Sequence, residues 1–209
     1  MPNIYHVPSV MLNQNFGVLL KDRLKLSHTG RKNDVKARWE EMVSRIDQAS
    51  DIARVALVGK YTNLGDSYLS VISALKHACI ATDQLLHLEM INSSNLEKET
   101  KEKNPDAYEQ AWNALKSCDG VIVPGGFGNR GIQGKIAAIN YVREEKVPFL
   151  GICLGMQAAV IEYTRNVLGI KDANSEELVP NIPDEKAAII FMPEGSKEKL
   201  GGTMRLGSR

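Results

Sequence analysis

From residue 52 onward, short apolar runs alternate with longer amphipathic stretches, and this alternation restricts the fold more than any other feature of the chain. The runs are ARVALVG (53–59), LLHLEMI (85–91), DGVIVPGG (119–126), VPFLGIC (147–153) and AAIIFMP (187–193). Helical spacing lies between the first four and after the fourth, over 66–81, 106–117, 132–146 and 154–168. Asp66 is a candidate cap for the first of these helices, and Gly169 a candidate stop for the last. Strand–helix–strand alternation predicts an α/β fold, an open and mostly parallel sheet flanked by helices. Chemistry in such sheets gathers where strands end at their carboxyl side. That rule selects three loops: GKYTNLGD (59–66), PGGFGNRG (124–131) and GICLGMQ (151–157).

The rest of the chain is less regular. Residues 1–30 hold short apolar pieces broken by Pro2, Pro8 and Gly17, and read poorly as a domain. HTGRKNDVK (28–36) reads as a linker. Residues 34–49 read as a helix with Asp34 at its start. NSSNLEKETKEKNPD (92–106) is so poor in apolar residues that it predicts an exposed excursion. The domain division expected is 1–51 and 52–209.

Composition removes some functions. The formal net charge is +1, so no global field favours nucleic acid or an anionic membrane. No apolar run is long enough to span a bilayer, and the opening MPNIYHVPSV lacks the layout of a secretory signal. Three cysteines at long spacings (Cys79, Cys118, Cys153) predict reduced thiols in a cytoplasmic setting, and no cysteine–histidine cluster predicts a metal.

Cys153 stands where a strand gives way to a helix, between Gly151 and Gly155. A sharp strand-to-helix turn strains its central residue and leaves little room beside it, which glycines relieve. The helix's free N–H groups favour a thiolate there, and the Leu154 N–H would face an oxyanion formed by attack. The alternative is a small buried cysteine, the reading that suits Cys79 and Cys118. Gly126, Gly128 and Gly131 match G-x-G-x-x-G, but the acids that follow, Glu144 and Glu145, precede the next strand where a dinucleotide site needs one at its end. The same loop serves as a second oxyanion donor or as a tight turn only. Lys60 follows Gly59, yet the loop lacks the glycine and hydroxyl of a phosphate loop. The histidines His6, His28, His77 and His87 all precede Cys153, and none has a position suited to a base.

VPFLGICLGMQ, VPGGFGNRG, GKYTNLGDSYLSVISALKHA, DANSEEL and GGTMRLG together resemble the class I glutamine amidotransferase half of the CTP synthase family. NIYHVPSVMLNQNFGVLLKDRLKL is similar to the end of the synthetase half and its linker. The resemblance implies a flavodoxin-like amidotransferase fold, C-terminally incomplete here. It implies Cys153 as nucleophile toward the glutamine side-chain amide and Gly126 and Leu154 as oxyanion donors. It further implies Gly126, Leu154, Gly155, Met156, Gln157 and Glu177 as glutamine contacts, and Arg205 as a residue linked to GTP activation. Ammonia released there aminates UTP at the expense of ATP and Mg, all bound in the other half, so no cofactor is expected in this portion. Tetramers and filaments are implied for the whole enzyme. The family's base is a histidine in H-x-E far downstream of the cysteine, and the 56 residues after Cys153 contain no histidine. The chain therefore reads as cut at both ends, with an unpaired sheet edge, uncovered apolar surface and negligible glutaminase turnover expected. A non-catalytic fragment that binds the full-length enzyme, and a hydrolase using His87 as its base, are the competing readings.

Overall fold

The computed structural model describes residues 3–27, 34–60, 62 and 66–191. Two compact units emerge: Met1–Ala53 with Ile72–Leu86, and Arg54–Val71 with His87–Arg209.

The first unit is more ordered than its sequence suggests. A 3-10 turn over Ile4–His6, capped by the Asn3 side chain, leads into α1 (Val7–Asn13), with Pro8 in its first turn where a missing N–H costs nothing. Helices α2 (Phe16–Arg23) and α3 (Val35–Gln48) follow. Asp34 precedes α3, but its side chain makes no capping bond. The Trp39 indole donates to the Tyr5 carbonyl at 2.8 Å, and the Tyr5 ring leans on Trp39 and meets His77 edge-on. Arg45 joins the Asp83 carboxylate through Nε at 2.6 Å and also donates to the Ala81 carbonyl. Residues spaced this far apart in sequence are invisible to a local reading of the chain.

The second unit carries the sheet. Strands β1 (Asp51–Gly59), β2 (Gln84–Asn92), β3 (Gly120–Val123) and β4 (Phe149–Gly151) lie in the order β2-β1-β3-β4. β3 is parallel to β1, with Leu57 opposite Ile122, and parallel to β4, with Val123 opposite Gly151. Helices α4 (Leu69–Ala81), α5 (Lys98–Lys103), α6 (Pro105–Lys116), α7 (Ile132–Glu144) and α8 (Leu154–Asn166) fill the connections. α4 starts three residues past Asp66, whose carbonyl accepts the Leu69 N–H. Gly169, with φ 74, turns the chain away after α8. Of the strand expected at 187–193, residues 192–193 lie outside the described residues; among the described ones β6 (Ala187–Ile189) pairs with β5 (Asn174–Ser175) in a separate two-stranded sheet.

The core joins Ala56, Val58, Val121 and Val123 of the sheet to Leu115, Ile136, Ile139, Ala158 and Ile161 of the helices. The start of the segment 92–106 is part of this core, whereas Lys98 onward is mostly exposed, as the composition predicts. Ser93–Leu96 forms a 3-10 turn in which Ser93 is fully buried and Leu96 is 2% exposed. It reaches α7 because position 134 is glycine: a Cβ there would lie within 2 Å of the Ser93 carbonyl oxygen. One leucine and one glycine outweigh the polar composition around them. Between α7 and α8, Arg143 grips the buried carboxylate of Glu162 with Nε at 3.1 Å, and Asn166 donates to the same group. Burying that carboxylate is tolerable because its partners are supplied.

β4 stands at one edge of the described sheet, with Leu150 and Ile152 exposed, and α8 exposes Met156, Val160 and Tyr163 beside it. α8 itself is seated by Gly155. A Cβ at that position would lie 1.9 Å from the Val123 carbonyl oxygen. Gly155→Ala should therefore force α8 off β3 and cost at least about 2 kcal/mol, the scale of an overpacked core; a urea titration giving wild-type stability would contradict this close contact.

Candidate active site

Three chain segments meet at the carboxyl ends of β1, β3 and β4, and β1 and β3 are neighbours from which the chain proceeds in opposite directions. Such a switch point opens a crevice above the sheet. The turn after β4 presents Cys153 with φ 51 and ψ −110, a left-handed conformation rarely adopted by a side-chain-bearing residue. Its thiol is exposed, whereas Cys79 and Cys118 are buried. Burial pushes both of those thiols up from their ordinary range, disfavouring the thiolate. Cys153 directly precedes α8, whose first N–H, that of Leu154, has no residue one turn earlier in the helix to accept it. The next donors are engaged: Gly155 N–H bonds the Ile152 carbonyl at 2.8 Å, and Gln157 N–H bonds the Cys153 carbonyl at 3.0 Å.

The glycine loop after β3 lies directly against this turn. A Cβ on Gly125 would be 3.2 Å from the Cys153 Cβ and 3.8 Å from its sulfur. A Cβ on Gly126 would contact the Leu154 side chain and the Lys135 ammonium, each at 3.9 Å. Cys153, Leu154 and Gly126 are thus brought together by the parallel pairing of β3 with β4. Gly155 is buried in the α8–β3 contact, Gln157 is half-buried and Met156 is exposed. Glu177 lies in the turn after β5, exposed, its N–H bonded to the Ser175 hydroxyl. That turn is tied to the glycine loop by Asn129, whose side-chain amide donates to the Leu178 carbonyl at 3.2 Å. Arg205 lies outside the described residues.

The loop's dinucleotide resemblance leads nowhere. Glu144 closes α7 at the end opposite the loop, about 18 Å away along the helix axis. His87 is no closer to being a base. It sits on β2 bonded to Glu89, and β2 and β4 are opposite edges of the sheet, about 14 Å apart. His6 pairs with Asp47 and His77 abuts Tyr5, both in the first unit, and His28 lies outside the described residues. Among the described residues no cluster of three or more metal-ligating side chains exists.

Two lysines complete the site. Lys60 reaches across from the end of β1, and its ammonium donates to the carbonyls of Phe127 and Gly128, each at 2.5 Å. Burial, with the nearby Arg130 charge, lowers its proton affinity. Lys135 lies one turn into α7, is 0% exposed, and donates to the Pro124 carbonyl at 3.5 Å. Burial first, and then the Lys60 charge, bring its pKa down to about 8, while a Cys153 thiolate pulls the other way. Neither lysine was legible as a site residue from motif spacing. Lys135 did leave a signal: Ile132, Lys135, Ile136 and Ile139 share one helical stripe, so the charge falls on the face that faces the core.

The buried charge makes stability pH-dependent. Below about pH 8 folding must retain a proton in a site that disfavours it; above that value the folded protein sheds the proton while the unfolded lysine keeps it until about pH 10.5. Stability therefore rises across this window, by about 3 kcal/mol if the whole shift is realised. Lys135→Met removes this contribution. The stability gap between the variant and the wild type should narrow or reverse in the wild type's favour from pH 7 to 10; a gap that stays constant in chemical denaturation would show that Lys135 is not a buried cation.

Comparison with known proteins identifies the family. The model of the family described as glutamine amidotransferase class-I matches residues 63–209. The chain is 44% identical to the CTP synthase of Eremothecium gossypii over 98% of its own length and 37% of that protein. It is 46% identical to the CTP synthase of Neurospora crassa over its whole length, again 37% of that protein. It is 46% identical to CTP synthase 2 of Rattus norvegicus, covering 99% of this chain and 35% of that protein. The chain thus spans little more than a third of these curated relatives. Among solved structures, the glutaminase domain of Trypanosoma brucei CTPS with bound acivicin superimposes with a TM-score of 0.59 at 41% identity, over 70% of this chain and 52% of that one. A strained cysteine beside a glycine loop, on a parallel sheet matched over most of its length by one family, leads to one conclusion: this chain belongs to the class I glutamine amidotransferases.

Proposed function

We propose that the chain is the glutamine-hydrolysing portion of a CTP synthase and that Cys153 is its nucleophile. The observation that carries this reading is the exposed thiol at a left-handed elbow, in contact range of Gly125 and one residue before a free helix N–H. In this mechanism the Cys153 thiolate attacks the side-chain carboxamide carbon of glutamine, forming an S–C bond. The carbonyl oxygen becomes an oxyanion, which accepts hydrogen bonds from the N–H groups of Leu154 and Gly126. The C–N bond breaks as the amide nitrogen takes a proton and leaves as ammonia. Water then cleaves the thioester, releasing glutamate and restoring the thiol. Gly155, Met156, Gln157 and Glu177 contact the glutamine, with Glu177 held near the loop through Asn129 and Leu178. Residues 1–51 are the end of the synthetase half and its linker. Ammonia passes to that half, where ATP, Mg and UTP bind, GTP activates through Arg205, and cytoplasmic tetramers and filaments assemble.

The proton for the leaving amine needs a donor, and within these 209 residues no histidine follows Cys153. General acid–base groups contribute about a hundred- to ten-thousandfold. The isolated polypeptide should therefore form an adduct with acivicin at Cys153, detected by mass spectrometry and abolished in Cys153→Ala, yet release ammonia from glutamine at a negligible rate. Absence of an adduct refutes the glutamine pocket, and ordinary turnover refutes the missing base.

A second reading is favoured by the exposed β4 edge with Leu150 and Ile152 and the apolar α8 face with Met156, Val160 and Tyr163. The chain then acts as a fragment that binds full-length CTP synthase through this surface. Co-sedimentation with the full-length enzyme, lost when Met156 and Tyr163 are both replaced by Asp, is the expected result; no co-sedimentation removes this reading.

A further inference from the structure

The glycine loop is held from two sides by ammonium groups. Lys60 draws the Phe127 and Gly128 carbonyls toward itself, and Lys135 draws the Pro124 carbonyl. A trans peptide is planar, with its N–H opposite its C=O. Each carbonyl held by a lysine therefore turns the N–H of the next residue the other way. In a loop so arranged the donors of Gly125, Gly128 and Asn129 point away from the two lysines.

Lys135 is the more unusual of the pair. It projects from α7 beside Ile132, Ile136 and Ile139 and is completely enclosed. An ammonium has three donors. Among the described residues Lys135 spends one on Pro124, at the long limit of a hydrogen bond, 3.5 Å. Its nitrogen lies 3.9 Å from where a Gly126 side chain would begin, and a side chain on the neighbouring Gly125 would begin 3.8 Å from the Cys153 sulfur. The charged groups that act on Lys135 are Lys60, of like sign, and Cys153, of opposite sign once ionised; Arg130 acts on Lys60. The thiolate is thus the anion available to this buried cation.

We propose that Lys135 is a positioning residue of the amidotransferase site: its enclosed ammonium fixes the glycine loop from beneath through the Pro124 carbonyl and serves as the electrostatic counterpart of the Cys153 thiolate on the loop's far side. The proposal rests on Cys153 being the reactive thiol, as argued above. It adds a group that touches neither glutamine nor the reacting atoms and acts through the loop that abuts Cys153. A fixed charge in a poorly solvated setting is screened far less than one at the surface, so its influence persists across the thickness of a glycine loop.

The test is the pH dependence of Cys153 alkylation by iodoacetamide in the 209-residue chain, read by peptide mass spectrometry, in wild type and Lys135→Met. Circular dichroism establishes that the variant is folded. The midpoint of the rate profile should move to higher pH in the variant, with the rate at pH 7 falling about tenfold for a one-unit displacement. Superimposable profiles from two folded proteins would overturn the proposal. Coupling between two sites is reciprocal, which provides a measurement that does not depend on the lysine variant folding. Side-chain nitrogen NMR of Lys135 should show its titration midpoint falling when Cys153→Ala removes the thiolate; an unchanged midpoint would also overturn the proposal. Iodoacetamide needs no glutamine pocket. A wild-type Cys153 that ignores acivicin but shows the Lys135-dependent profile would sink the glutaminase reading alone.

Discussion

The site depends on one close contact, that of the first turn of α8 with the end of β3. Gly155 lies so near the Val123 carbonyl that any side chain would collide with it. Because β4 pairs with β3 and ends at Gly151, opposite Val123, the chain has only Ile152 and Cys153 in which to turn from strand to helix. The positive φ of Cys153 is the consequence. A strained residue of this kind persists only where its surroundings over-determine it. Here the surroundings are the parallel register, the buried Ala158 and Ile161 that anchor α8, and the Arg143–Glu162 link to α7. The exposed thiol is therefore a product of packing below it.

The same packing explains why charge is buried under the loop. A run of glycines has no side chains with which to hold its own shape, and its carbonyls need partners once water is excluded. Lys60 and Lys135 supply them from two different elements, the end of β1 and the first turns of α7. The arrangement is destabilising in isolation, since the Lys135 charge is desolvated and faces another cation. The fold accommodates it through the apolar contact of α7 with its neighbours, and the electrostatic strain is concentrated beside the loop that abuts Cys153.

Much of this was readable from local pattern. Apolar runs bounded by glycine marked β1 to β4 to within a few residues, because strands buried on both faces leave near-continuous hydrophobic stretches. The G-x-C-x-G spacing marked the elbow, since steric crowding at such a turn acts over only two residues on either side. The failures were non-local. Residues 92–106 looked polar and detached, and from Lys98 they are mostly exposed, yet Leu96 and Gly134 bring Ser93–Leu96 into the core. Residues 1–27 looked formless, yet Trp39, Asp47 and His77 give Tyr5 and His6 their partners. AAIIFMP read as a strand, and among its described residues Ala187–Ile189 pairs with a short partner, Asn174–Ser175, outside the four-stranded sheet. Lys135 passed unnoticed because a single lysine in a helical stripe carries no motif, and its environment is assembled from three separate segments.

The sequence by itself determined the α/β class, the strand-to-helix turn that holds Cys153 and the loops that could serve it, because periodicity, turn sterics and glycine spacing act over a few residues. The tertiary structure alone decided that the glycine loop abuts Cys153, that His87 is too far away to assist, and that two lysines face the loop from beneath. Those outcomes depend on strand order and on helix burial, which are set by contacts between residues far apart in the chain.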